Sequence, residues 1–241
     1  MKTLRHALIS SLVAALVMGL SVAAVAQEES VRPGINKSYE NADIEQSVKR
    51  FEGDGREIFQ HREEIVEACD LKPGMNVADV GAGTGLFTRL FAPKVLAAGS
   101  AAGSAGGTVY AVDITEKFIA HIKATCAEQK IENVETVLCT SKSTKLEPRS
   151  VDLVFTCDTY HHFEFPYKTL ASIRRALRRG GRLIVVDFKK EDAERPDWVN
   201  KHVRANKKTV IEEVTKAGFK LIDEPELMKG QYMLRFEKVK R

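Results

Sequence analysis

Cysteine is scarce in this chain and never clustered. Cys69, Cys126, Cys139 and Cys157 stand singly, with no Cys-x-x-Cys pair. A disulfide framework or a cysteine zinc site therefore has little support. Cys69, Cys126 and Cys139 lie among apolar residues and read as small core side chains. Charge of one sign is also lacking. The formal net charge is +4, and half of it comes from Lys2 and Arg5. So mild a balance leaves no electrostatic footprint for a nucleic-acid partner. Two ligand motifs are missing as well. No Lys-Ser/Thr pair follows the glycine-rich turn at 81–85, so it is not a nucleotide P-loop. The residue three positions beyond Gly83 is Leu86, where a dinucleotide fingerprint needs glycine.

What is present begins with an apolar run from Ala7 to Ala26. Lys2 and Arg5 precede it, Ala24-Val25-Ala26 closes it, and Gln27-Glu28-Glu29-Ser30 follows. These are the three parts of a secretory signal, so residues 1–26 are expected to be a signal peptide cleaved after Ala26. About 20 apolar residues are also enough for an uncleaved N-terminal anchor. With the basic residues inside, either outcome places the following domain outside the cytoplasm, periplasmic or secreted. Cleavage would leave no stable membrane association. A start at Met18 would remove most of the signal and leave the protein cytoplasmic.

The rest is long enough for one globular domain with a sizeable core. It is organised around Met75 to Leu86. Lys72-Pro73-Gly74 marks a turn, and Val77, Ala78 and Val80 form a short apolar run with Asp79 near its end, as in a central parallel strand. Gly81, Gly83 and Gly85 follow at alternate positions, interleaved with Ala82 and Thr84, and Leu86 to Phe91 reads as helix. A strand, a glycine turn and a helix N-terminus make a cradle in which backbone N–H groups face a ligand. A second strand, Gly107 to Asp113, again ends in an acid.

The Asp-Val-Gly-Ala-Gly-Thr-Gly segment, with a second strand-end acid at Asp113, resembles motif I and its partner in class I S-adenosylmethionine (SAM)-dependent methyltransferases, of the methyltransferase-domain-11 type. The resemblance runs from about Glu52 to the C-terminus. It implies an α/β fold: a Rossmann-like, doubly wound, seven-stranded, mostly parallel sheet with an antiparallel last strand and helices on both faces. SAM is the implied cofactor. Asp79, Gly81, Ala82, Gly83, Thr84 and Gly85 would carry its methionine part, and Asp113 with Ile114 its ribose end. The loop Cys139 to Leu146 often carries an adenine-binding acid in this family. Here no acid occurs before Glu147, and Ser141 or the backbone is the expected substitute.

Val151 to Thr156 reads as strand four, and Cys157-Asp158-Thr159-Tyr160-His161-His162-Phe163 follows it. In a doubly wound sheet ligands lie beyond the carboxyl ends of the strands. Cys157 and Asp158 are therefore expected at the cofactor. Tyr160, His161 and His162 are the catalytic candidates, one His taking a proton from an acceptor O–H or N–H. A metal is not expected, because consecutive histidines on a loop without a third ligand are poor geometry.

Around this centre, residues 27–51 read as an arm or a lid, with Tyr39 and Phe51 as its apolar contacts. Residues 52–241 read as the methyltransferase domain. Arg56 to Cys69 and Pro166 to Arg179 are expected helices, the second ended by Gly180-Gly181. Its arginines fit a helix C-terminus better than a nucleic-acid patch. His61 and Arg62 are expected in solvent, as are His202 and Arg204. The expected function is methyl transfer from SAM to a small-molecule acceptor. A non-catalytic SAM-fold module at the cell envelope and a nicotinamide oxidoreductase compete with it. The oligomeric state carries no sequence signal.

Overall fold

The computed structural model describes residues 27–96, 106–190 and 197–240. The expected leader, most of the Ala/Gly/Ser-rich loop between Leu96 and Gly107, and most of the connector between Glu191 and Trp198 lie outside them. Among the described residues no helix is long and apolar enough to cross a membrane.

Seven strands form one sheet: β1 (Val77–Val80), β2 (Val109–Asp113), β3 (Val134–Leu138), β4 (Val151–Cys157), β5 (Leu177–Phe188), β6 (Phe219–Asp223) and β7 (Gln231–Lys238). Their order is β3-β2-β1-β4-β5-β7-β6, and β7 alone runs antiparallel to its neighbours. This is the expected fold. An antiparallel strand inserted between β5 and β6 also departs from the sequential 3-2-1-4-5-6 order of dinucleotide-binding sheets, which weakens the nicotinamide alternative.

Alternation along the strands assigns side chains to the two faces. Ala78 and Val80 of β1 and Leu183 and Val185 of β5 pack with Leu170, Ile173, Val210 and Val214. These four come from α6 (Pro166–Ala176) and α8 (Lys207–Lys216). Val77, Ile184 and Val186 face the other way, onto Ile58, Ile65, Phe87 and Phe91. Those residues belong to α2 (Glu57–Gln60), α3 (Arg62–Ala68) and α4 (Leu86–Val95). The remaining helices are α1 (Ile44–Phe51), α5 (Glu116–Glu128) and α7 (Asp197–His202). Both faces of the central strands are buried, which is why β1 reads as an uninterrupted buried run.

Two expected helices change. The helix expected over 56–69 is two short helices broken at His61, whose ψ of 13° leaves the helical range. The helix expected over 166–179 stops at Ala176. Leu177 already pairs with Val151, and the ladder shifts before Leu153 meets Arg182. Gly180, at φ +72°, and Gly181 sit in that irregularity and do not cap the helix. A Cβ on Gly181 would stand 3.0 Å from the Arg178 carbonyl oxygen. The segment 27–51 carries a 3-10 turn at Lys37–Tyr39 and the helix α1, whose N-terminus is capped by the Asp43 carboxylate on the Gln46 N–H.

Candidate functional site

A cavity of about 560 Å³ opens beyond the carboxyl ends of β1, β2, β4 and β5. Its size is typical of small-molecule sites. One end is lined by the glycine turn and the other by His161, His162 and His202.

At the glycine end, the three glycines answer three different demands. Gly81 has φ +78°, and a Cβ there would fall 2.1 Å from Thr159 Cγ2, so it lets the turn touch the β4 loop. Gly85, at φ +82°, opens α4, and its Cβ would fall 2.9 Å from Ile122 Cγ1. Gly85 does not line the cavity, and its expected contact with the ligand is replaced by packing on α5. Gly83 lines the cavity, and its nearest neighbour would be the Phe51 ring at 3.6 Å. Ala82 and Thr84 line it too.

The two strand-tip acids are both buried and both face the cavity. The Asp79 carboxylate accepts from the Thr88 hydroxyl at 2.7 Å. Burial, reinforced by Asp113, pushes its pKa up to about 7 despite that bond. Asp113 accepts from the Gly83 N–H at 2.9 Å on one oxygen and from the Thr115 N–H at 2.8 Å on the other. It thus ties the glycine turn to the tip of β2. The Thr115 side chain and the Ile114 N–H also act on this carboxylate, whose two oxygens suit a pair of neighbouring hydroxyl donors. Burial again raises this acid, while the backbone N–H groups hold it down. Ile114 beside it is exposed and offers the cavity an apolar face. Cys139, Thr140, Ser141 and Thr144 line the adjoining wall. The acids that line the cavity are Glu57, Asp79, Asp113 and Asp158, none of them from that wall.

The arm folds over this end as a cover. Phe51 and Tyr39 pack against Phe118, with ring centroids 6.2 and 6.4 Å apart. Two partly buried ion pairs pin the chain just after α1. Glu52 pairs with Arg89 at 2.7 Å, and Arg56 pairs with Asp158 at 2.6 Å. Arg89 also donates to the Thr84 carbonyl, joining cover to glycine turn. Of the cations that line the cavity, Lys49, Arg50 and Arg56, it is Arg56 that pairs with a cavity acid. His61 and Arg62 turn to Glu64 and the Phe59 ring instead. Burial would lower the Arg56 pKa, but Asp158 more than offsets it, so the guanidinium stays charged. Asp158 is held at φ +46°, and its Oδ1 is buried with no hydrogen-bond partner. Burial raises its pKa against the pull of Arg56. Cys157 also lines the cavity, and burial keeps its thiol protonated.

At the histidine end, the three catalytic candidates part company. His161 is buried, with Nδ1 2.7 Å from Asp187 Oδ1 and its backbone N–H donating to Asp187 Oδ2 at 3.0 Å. Nε2 is the ring nitrogen left for the cavity. His162 faces His202, with their Nε2 atoms 3.2 Å apart. Burial, then the neighbouring His161 and His202, lower its pKa to about 2. His202 is lowered by the same kinds of cause. Tyr160 does not join them. It is fully buried away from the cavity, and its hydroxyl donates to Glu213 at 2.7 Å. The expectation that Tyr160 is catalytic is corrected on that ground: in the 3-10 turn at 160–162 its ring swings into the core beside Phe163.

Two further expectations fall here. Arg204 is not solvated. It grips Glu213 with two bonds of 3.0 and 2.9 Å and lies over the Tyr160 ring. His202 is not an isolated surface residue, because α7 brings it to the histidine pair. The objection to a metal, the lack of a third ligand, is therefore removed. Asp187, Arg56, Glu52, Phe188 and Trp198 were not singled out from the sequence. Asp187, at the end of the apolar strand β5, carried the one available signal, since strand-tip acids mark this edge twice already.

Comparison with known proteins agrees with the geometry. Residues 78–185 match the family described as a methyltransferase domain. The crystal structure of a SAM-dependent methyltransferase from Aquifex aeolicus superposes with a TM-score of 0.70 and 25% identity, over 83% of this chain and 100% of that one. Phosphoethanolamine N-methyltransferase 2 of Caenorhabditis elegans is 26% identical over 156 residues, covering 62% of this chain and 33% of that protein. The ubiquinone/menaquinone biosynthesis C-methyltransferase UbiE of Burkholderia vietnamiensis (strain G4 / LMG 22486) is 27% identical over 125 residues, covering 52% and 48%. The chain spans about a third to three fifths of the length of the curated relatives it matches. The fold is that of a class I methyltransferase, and the matched segment runs from β1 into β5.

Proposed function

We propose that the protein transfers a methyl group from SAM to a small-molecule acceptor. The observation that carries this is one continuous cavity: Gly83 and two strand-tip acids line one end, and an Asp-anchored histidine lines the other. Bound SAM would supply a methyl group already activated by the sulfonium.

The chain's own residues then have simple tasks. The Gly81–Thr84 turn lets backbone approach the ligand. Asp113 offers its carboxylate to the ribose hydroxyls, and Ile114 gives the adenine a face to lie on. Ser141 and its neighbours replace the missing adenine acid. Asp79 and the unpartnered Asp158 Oδ1 favour a cationic ligand between them. Tyr39 and Phe51 exclude water. Holding two reactants in line can lower a barrier by about 7–11 kcal/mol at best, so alignment supplies most of the rate. A base matters only for an acceptor that loses a proton, and His161 Nε2, fixed by Asp187, is placed to receive it. The expected leader places this chemistry in the envelope, which fractionation of the expressing cell would check.

Isothermal titration with SAM is the direct test. Binding at micromolar SAM, with transfer of labelled methyl to an acceptor drawn from a small-molecule extract, is the expected result. No heat at millimolar SAM would overturn the proposal and favour a non-catalytic module.

A further inference from the structure

We propose that His161, His162 and His202 form a three-histidine site for a divalent transition-metal ion, with zinc the best match, at the acceptor end of the cavity. One ring nitrogen from each lies within 4.8 Å of the other two. The His162 and His202 Nε2 atoms are 3.2 Å apart. Two imidazoles on one tetrahedral zinc, at about 2.0–2.1 Å from the metal, stand about 3.3 Å apart. The alternative use of so short a contact, a hydrogen bond between two neutral rings, does not account for the third ring: His161, its Nδ1 held by Asp187, stands 4.3 and 5.1 Å, centroid to centroid, from His162 and His202.

The surroundings have the features of a built ligand set. Asp187 accepts from His161 Nδ1, which fixes the tautomer and presents Nε2, the arrangement that orients metal-bound histidines. Asp187 is itself held by the N–H groups of His161 and Phe188. Three imidazoles suit zinc, copper, iron or nickel, and three protein ligands leave a fourth position for a substrate atom. That position would open to the cavity, which Phe188 and Trp198 also line.

The site also indicates an acceptor class. Arg50 lines the cavity. A metal cation in a cavity that Arg50 also lines favours an anionic fourth ligand, so the acceptor would bind through an oxygen or sulfur that ionises. Ligation releases the acceptor's proton to water. Its lone pair then bonds the methyl carbon, while the old carbon–sulfur pair returns to sulfur. His161 serves here as a ligand, and the metal takes over the lowering of the acceptor's pKa. The metal site stands on geometry alone, whereas its part in transfer rests on the methyltransferase reading above.

The test uses the full chain without a histidine tag, stripped with a chelator and titrated with zinc chloride. Cobalt(II) absorption reports the coordination geometry. One zinc per chain at micromolar affinity or tighter is expected, with a tetrahedral cobalt spectrum. His202→Ala should weaken zinc at least 100-fold, and Asp187→Asn 10–100-fold. His202→Ala should leave its melting profile and its SAM affinity within twofold of the parent. Zinc binding weaker than about 100 µM in the parent, or binding unchanged in both His202→Ala and His161→Ala, overturns the site. Zinc binding without SAM binding overturns the methyltransferase reading and leaves the site standing. SAM binding without zinc does the reverse.

Discussion

The two ends of the cavity are assembled in opposite ways. The glycine end is nearly contiguous in sequence: Asp79 to Thr84 supplies one wall, and Asp113 and Ile114 the next. Its acids are held by nearby groups, Asp113 by the N–H of Gly83 and Thr115 and Asp79 by the Thr88 hydroxyl. The histidine end is gathered from segments far apart. His161 and His162 come from the β4 loop, Asp187 from β5, His202 from α7 and Asn36 from the arm, which donates to the His162 carbonyl at 3.2 Å. A cofactor shared by many enzymes can be met by local backbone geometry. An acceptor peculiar to one enzyme is met by side chains that only the folded chain brings together.

That contrast predicts that substitutions at one end leave the other intact. The largest effect belongs to Gly83→Asp. Its side chain would enter between the turn and Phe51, beside Asp79 and Asp113, on a residue held at φ +54°. SAM affinity should fall at least 1,000-fold, about 4 kcal/mol. Zinc affinity should stay within threefold. A SAM dissociation constant unchanged by calorimetry would move the nucleoside elsewhere.

Asp79 gives the next effect, and its sign follows from burial. Its folded pKa of about 7 lies above the usual value near 3.8. The ligand-free fold therefore favours the protonated acid. The stability this gives is fully present below about pH 4 and is lost as pH rises through about 7, by at most about 4 kcal/mol. A cationic ligand wants the ionised form, so SAM affinity should rise about tenfold from pH 6 to pH 7.5. Asp79→Asn should flatten both slopes. Chemical denaturation across pH 4–8, with and without SAM, reads them. A wild-type stability independent of pH in that window would remove Asp79 from the cavity's electrostatics.

The same contrast explains what the sequence could disclose. β1, the glycine turn and the acid at 113 are local patterns: an apolar run, glycines at alternate positions and a strand-end carboxylate. They carry the resemblance that implies a seven-stranded, mostly parallel sheet with an antiparallel last strand, while the strand order itself is read from the structure. What was not legible depends on long-range pairing. Leu177 looks like the last apolar position of a helix until Val151 claims it for a strand. Arg56 looks like one more surface cation, and only the return of the β4 loop sets Asp158 against it. Tyr160 and His161 are adjacent and similar in promise. A 3-10 turn sends one to the core and the other to the cavity.

Asp113→Asn is a smaller probe of the glycine end. The amide keeps one acceptor oxygen but turns an N–H₂ toward the N–H of either Gly83 or Thr115. One charged hydrogen bond is lost and one donor faces another. SAM affinity should weaken about tenfold to thirtyfold, in line with about 1.5–2 kcal/mol for a bond to a charged group. Zinc affinity should not change. An effect on zinc as large as that on SAM would mean that the two ends do not behave as separate units.

Tyr160→Phe should have the smallest effect and is the sharpest check on the histidine end. The phenol donates to Glu213, which Arg204 already holds by two bonds. Removing the hydroxyl leaves the carboxylate satisfied, and the ring still fills its place beside Phe163 and under Arg204. The cost should be about 1 kcal/mol, a drop of about 2–4 °C in melting temperature for a chain of this length. Affinities for SAM and zinc, and the rate of methyl transfer, should be those of the parent. A variant that melts like the parent but transfers methyl groups tenfold more slowly would show the phenol reaching the cavity. The division between a structural Tyr160 and a functional His161 would then be wrong.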